Sequence, residues 1–256
     1  MNKAYSAWLH IHVFDVGGGN EFTGELPSEY SFWEQLKVFI VADNALSGEI
    51  PPVYAKWTNI EEIQIQNNQF VGGLSEEFQT WRYLRTFVAR DQKGTGLTGI
   101  LPDALGAMKK MRRFDISLNS FVGGLKEGMA LWRNLEYFNV TGNQYLGGNL
   151  LESFQSWEQL KEFGAAACAF TGKIPTAYMK WKKVEKFNVG SNQLSESLSR
   201  EFSAWEESIF EISVGSNRLS GVIPPSYSAF TNLRVFSCNS NSLRGTLDAG
   251  YWNGLN

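Results

Sequence analysis

Beginning at residue 11, one unit of 24 to 27 residues recurs ten times, and this periodicity restricts the fold more than any other property of the chain. The units open at Ile11, Leu36, Ile60, Leu84, Met111, Leu135, Leu160, Val184, Ile209 and Leu233, at spacings of 25, 24, 24, 27, 24, 25, 24, 25 and 24. In the second unit Leu36, Phe39, Val41 and Leu46 are apolar, Ile50 and Pro51 follow, and Tyr54 and Trp57 close it; the same residue types return in phase in the units around it. A unit this short cannot bury its own apolar face, so copies must stack and cover one another. The expectation is one elongated domain over residues 1–256. Residues 1–10 would be the remnant of a preceding unit, and 248–256 an incomplete last one.

Each position in the unit has a physical reason. Phe39 and Val41 flank Ile40, so a short strand there sends Phe39 and Val41 into the core and Ile40 to the open face. An asparagine follows the strand as Asn20, Asn44, Asn68, Asn119, Asn143, Asn192, Asn217 and Asn241, with Thr95 and Cys168 read as the two replacements. Its amide has both donor and acceptor, so a buried column of it predicts a structural ladder that satisfies the backbone of adjacent coils. Glycine recurs as Gly24, Gly48, Gly72, Gly99, Gly123, Gly147, Gly172, Gly221 and Gly245, broken only by Glu196, which predicts a left-handed turn. All seven prolines fall at one turn, and eight of nine tryptophans share one position, where Met108 and Phe230 stand in. Tyr54 and Trp57 would lie on one face of a single helical or 3₁₀ turn.

The rest of the composition mostly excludes. A formal charge of −3 without a basic run argues against nucleic acid as partner, and no apolar run is long enough to span a bilayer. No N-terminal leader pattern is present in the sequence as given. Cys168 and Cys238 lie in different columns, three units apart, beyond the reach of a disulfide, which predicts two buried thiols. His10 and His12 have no third ligand beside them, so no metal or other cofactor is expected. Gly17, Gly18 and Gly19 lack the helix and Lys-Ser/Thr of a phosphate loop. The insertion of the 27-residue unit is placed at residues 91–96, bulging at the rim of the open face. Both ends read as uncapped, which predicts end-to-end packing or membership of a longer array.

The open face carries Asp15, Ile40, Gln64, Val88, Asp115, Asn139, Gly164, Asn188, Ser213 and Ser237 in its central column, with Arg113 and Tyr137 in a flanking one and Arg90 in another. No carboxylate pair, Ser-His-Asp or Cys-His set can be assembled from these, so no catalytic residue is assigned. Arg90, Arg113, Asp115, Tyr137 and Asn139 fall in adjacent units and include the residue types enriched at interface hot spots. They are the candidate ligand-binding residues. Asn139 also heads the chain's only N-x-S/T acceptor, so a glycan there would cover the same patch.

The motif N-x-L-S-G-x-I-P-P-x-Y, at residues 44–54 and 217–227, resembles the plant-type leucine-rich repeats of receptor kinases and polygalacturonase inhibitors. The resemblance runs from Ile11 to about Leu247. Aromatic residues after the prolines are similar to the repeats of kinetoplastid surface antigens of the promastigote type. The resemblance implies an α/β repeat fold: a right-handed leucine-rich repeat solenoid with a parallel concave sheet and short helical or 3₁₀ turns on the convex side. It also implies a non-enzymatic surface or secreted module that binds a protein or glycan ligand on its concave face. The alternative from the chain itself is an intracellular scaffold or assembly subunit whose concave face and ends pack on partners.

Overall fold

A computed structural model describes residues 3–246; the expected incomplete unit at 248–256 and Trp252 lie outside the described residues. Ten three-residue strands, from Val13–Asp15 to Val235–Ser237, form one parallel sheet whose strands lie in chain order. Their register aligns Phe14, Phe39, Ile63, Phe87, Phe114, Phe138, Phe163, Phe187, Ile212 and Phe236 in a single column facing the interior. Stacking follows directly, as with Phe138 and Phe163 at 5.3 Å between ring centroids. Offset packing of this kind adds about 0.5–1.5 kcal/mol per pair beyond area burial.

A second set of parallel strands was not anticipated from the sequence. Thr23–Glu25, Ala45–Gly48 and Gln69–Phe70 form a three-stranded sheet, and strands from Thr98–Ile100 to Ser242–Leu243 form a seven-stranded one; an isolated bridge between Gly72 and Leu97 lies between them. The strand lies just after the ladder residue, as Ala45–Gly48 does after Asn44, and ahead of Ile50 and Pro51. The cause is the ladder itself. The Asn68 side chain accepts from the Leu46 N–H of the preceding coil (3.0 Å), holding that chain extended and parallel to its neighbour.

The convex side is made of 3₁₀ turns, among them Ser28–Phe32, Pro52–Lys56, Thr176–Lys180 and Arg200–Trp205. Here the tryptophan column does more than fill volume. Seven tryptophans from Trp33 to Trp205 are fully buried, and each indole N–H donates to a carbonyl of the coil before it. Trp57 donates to Tyr30 and Trp181 to Phe154, both at 2.9 Å. Within a coil the preceding ring stacks on the indole, as Tyr54 does on Trp57 at 3.9 Å. Where Met108 takes the place, no such donor exists, and a small void lined by Phe78, Trp81, Phe87 and Leu105 remains beside it.

The glycine column adopts the left-handed conformation as expected, with two refinements. In the sixth unit Gly148 (φ 76°), not Gly147, makes the turn, while a Cβ on Gly147 would lie 2.5 Å from the Ala169 carbonyl oxygen. Glu196 occupies the turn with φ 69°. A side chain there costs about 1–2 kcal/mol, against about 0.5–1 kcal/mol of extra chain entropy lost by glycine. Glu196→Gly is therefore expected to stabilise the protein by about 0.5–1 kcal/mol, read as a raised urea midpoint. An unchanged or lowered midpoint would show that the Glu196 side chain contributes contacts outweighing its backbone strain.

Candidate functional site

The asparagine ladder is the frame that fixes the open face. Asn68 accepts from Leu46 N and donates to the carbonyls of Val41, Ile65 and Gln66 at 2.9–3.2 Å. Asn44, Asn119, Asn143, Asn192, Asn217 and Asn241 repeat this pattern, and Asn20 donates to Val16 and Gly17. The replacement in the fourth unit is Gln92, not Thr95. Gln92 accepts from Phe70 N and donates to Ile65, Ala89 and Arg90. The inserted residues therefore follow the ladder position rather than interrupting it, and lie at the edge between the concave sheet and the second sheet. The signal was present: 24 residues separate Asn68 from Gln92.

Cys168 replaces the amide with a thiol that reaches the carbonyls of Val140 (3.4 Å) and Ala166 (3.3 Å). It has no amide oxygen for Leu146 N, which turns back to Asn143 O at 2.9 Å. Burial pushes the Cys168 thiol up to about 11, and raises Cys238 as well. The expectation of two sealed thiols holds for Cys168 only. Cys238 is part-exposed, because it belongs to the last described strand region and is covered from one side. Native-state labelling with a thiol reagent at pH 8 should therefore modify Cys238 first and Cys168 only on unfolding. Equal rates would contradict this register.

On the open face, Arg113 and Tyr137 lie side by side through the pairing of their strands, and the guanidinium sits 3.7 Å from the tyrosine ring centroid. Asp115 lies beneath them. The sequence placed it among ligand contacts, but it is only 1% exposed. Its carboxylate accepts from Ser117 N (3.1 Å) and Ser117 Oγ (2.7 Å), and approaches Tyr137 OH (3.4 Å) and Arg113 (3.8 Å). Asp115 thus orients the pair above it and does not meet solvent. Asn139 accepts from Thr141 N (3.0 Å) and donates to Tyr137 OH (3.2 Å). Asp15 and Asn188 accept from the backbone two residues on in the same way, so part of this polar column is used in ending the strand. Arg90 is half-buried in the column on the far side of Val88, and is not brought into contact with the Arg113 and Tyr137 pair.

Next to Asn139 the central column has no side chain, since its residue is Gly164, with Asn188 beyond. The resulting cavity of about 320 Å³ is lined by Ser117, Leu118, Asn139, Thr141, Glu162, Lys186, Asn188 and Glu211, among others. A Cβ on Gly164 would sit 2.6 Å from Asn139 Oδ1. The period places Gly164 in the open column, and only the pairing of its strand with those of Asn139 and Asn188 turns the missing side chain into a notch. Among the described residues no group of three His, Cys, Asp or Glu could hold a metal, and no helix is long and apolar enough to cross a membrane.

No family model matches the chain, and no curated protein does. Among solved structures, a TDR receptor superposes with a TM-score of 0.89 at 26% identity, over 94% of this chain and 41% of its own. The fold is a right-handed leucine-rich repeat solenoid. This solenoid is also similar to the plant peptide hormone receptor RGFR1 in complex with RGF2, with a TM-score of 0.83 at 20% identity over 100% of this chain and 48% of that one. The leucine-rich repeat protein LIC12759 of Leptospira interrogans gives 0.76 at 19%, over 94% and 58%. The chain spans 41 to 58% of the length of these three proteins.

Proposed function

We propose that the solenoid is a non-enzymatic recognition module of a cell-surface or secreted protein, and that its concave face binds an extended peptide or protein segment. The observation that carries this reading is the Arg113 and Tyr137 pair. The pair is stacked, anchored from below by Asp115, and side-chain exposed at Arg113 (44%) in the middle of the sheet. A guanidinium and a phenol held in place lose little freedom on binding, which favours them as anchors. RGFR1, similar in fold, is a peptide hormone receptor bound to RGF2. The aromatic residue that follows the prolines, as at Tyr54, adds the kinetoplastid surface-antigen resemblance, which favours a surface location; tryptophan at the second aromatic position, as at Trp57, departs from that pattern.

The double variant Arg113→Ala with Tyr137→Ala tests the reading. Binding partners captured from the native source by the wild-type solenoid should be lost with it by about 100-fold or more in affinity, the scale of two hot-spot residues. Undiminished capture would remove the patch as the interface. Mass spectrometry of the natural protein at Asn139 tests the location, since a sugar there requires passage through a secretory pathway. Because Asn139 abuts both Tyr137 and the notch, the glycosylated form should bind the same partners more weakly.

A further inference from the structure

We infer that the notch over Gly164 is the specificity subsite of the concave face, and that it takes a basic side chain of the bound peptide, lysine or arginine. The inference rests on the concave-face reading above and adds the chemistry of one ligand position.

The floor is unusually low for several coils. Gly164 lies in the central column and Ala166, Gly190 and Gly215 in the column beside it, so a ligand side chain can approach the backbone between Asn139 and Asn188. At one edge Leu118 is 52% exposed and held left-handed at φ 53°, presenting an apolar surface suited to an aliphatic stem. At the other edge stand Glu162, Lys186 and Glu211, neighbours through strand pairing. Among the described residues neither glutamate forms an ion pair. The cations that could neutralise them are engaged with aromatic rings: Lys186 Nζ lies 5.7 Å from the Phe210 centroid, and Arg113 is stacked on Tyr137 while approaching Asp115.

Lining the notch itself, the balance is two carboxylates, Glu162 and Glu211, against one cation, Lys186. Burial raises the Glu162 carboxyl from its ordinary value; Lys186 and Arg113 pull it back, while Glu211 and Asp115 raise it further. A half-buried carboxylate in this position gains from a charge-assisted donor, and the amide oxygens of Asn139 and Asn188 are further acceptors on the cavity wall. An acidic ligand side chain would meet the same carboxylates and be repelled.

A random peptide library displayed on phage and panned on the wild-type solenoid reads this directly, with synthetic versions of the enriched peptides used for affinity measurement. We expect lysine or arginine at one fixed position, and about 10-fold or greater weakening when norleucine or citrulline replaces it. Glu162→Gln with Glu211→Gln should weaken the basic peptide similarly and erase the preference over the neutral analogue. Gly164→Asn should block the notch. It places an asparagine in a column that already holds Asn139 and Asn188, and a wild-type melting profile confirms that it folds. Enriched peptides that depend on Arg113 and Tyr137 but show no basic position, or an acidic one, overturn the notch assignment and leave the concave-face reading standing. Peptides indifferent to Arg113→Ala with Tyr137→Ala, or a library that enriches nothing, count against both.

Discussion

Trp157→Ala should lower the stability of the solenoid by about 4 kcal/mol, the upper range for deleting a buried aromatic. Trp157 is fully buried, stacks on Phe154 at 3.8 Å, and lies between Trp132 and Trp181 at 6.3 and 6.4 Å. Its loss opens a cavity in the middle of a column, and the 3₁₀ turns around it are too short to collapse inward. The indole N–H also donates to Met129 O at 3.0 Å, so the substitution removes a buried bond between coils and leaves that carbonyl with the Trp132 N–H alone. Trp157→Phe separates the two contributions. It keeps most of the volume and should cost about 1–2 kcal/mol, near the value of a lost buried hydrogen bond with some residual space. Urea unfolding followed by circular dichroism reads both variants. If Trp157→Phe costs as much as Trp157→Ala, the hydrogen bond dominates; if it costs nothing, the indole donor is incidental. Either result would revise the picture of a column that joins coils through both packing and polarity.

Asn143→Ala should cost about 3 kcal/mol, since one substitution removes three buried hydrogen bonds and takes from Phe121 N its side-chain acceptor. Asn143 is completely buried; it accepts from Phe121 N (3.0 Å) and donates to Ile116 O (3.0 Å) and Val140 O (2.8 Å). Asn143→Asp is isosteric but cannot donate, and would bring a charge into the core, so it should be at least as damaging. Asn143→Gln should recover part of the loss, because Gln92 performs this role in the fourth unit with an extra methylene. In a stack where each coil contacts only its neighbours, the damage should be local. Hydrogen exchange is expected to rise at Phe121 and in the adjoining coils while the terminal ones remain protected. A melt indistinguishable from wild type would show that the amide ladder is not holding the coils together.

The repeat, its phase and the inward aromatic column were legible from residue spacing because every copy solves the same burial problem. The parallel open face followed, since alternation along a three-residue strand leaves no freedom once Phe39 and Val41 are inside. Errors clustered where one unit departs from the others. Counting back from the glycine that ends the inserted stretch points to Thr95 as the ladder residue, whereas bonding to the backbone of Ile65 and Ala89 places Gln92 there. Gly147 and Gly148 could not be told apart by type, and only φ separates them. The second sheet was missed because its strands are held by side-chain amides from the next coil, a long-range cause that leaves a weak local pattern.

The candidate site divides in the same way. Which residues project from the open face is a matter of period and was determined by the sequence alone. What each projecting residue can do depends on its neighbours across coils, which lie about 24 positions away in the chain and about 4.8 Å away in space. That proximity buries Asp115 beneath Arg113 and Tyr137, separates Arg90 from them, draws Lys186 toward Phe210, and turns the absence of a side chain at Gly164 into a cavity. The sequence determined the solenoid because repeated burial has one solution at this period. The tertiary structure decided the site, because charge, exposure and space on a sheet are properties of adjacent strands and not of any one of them.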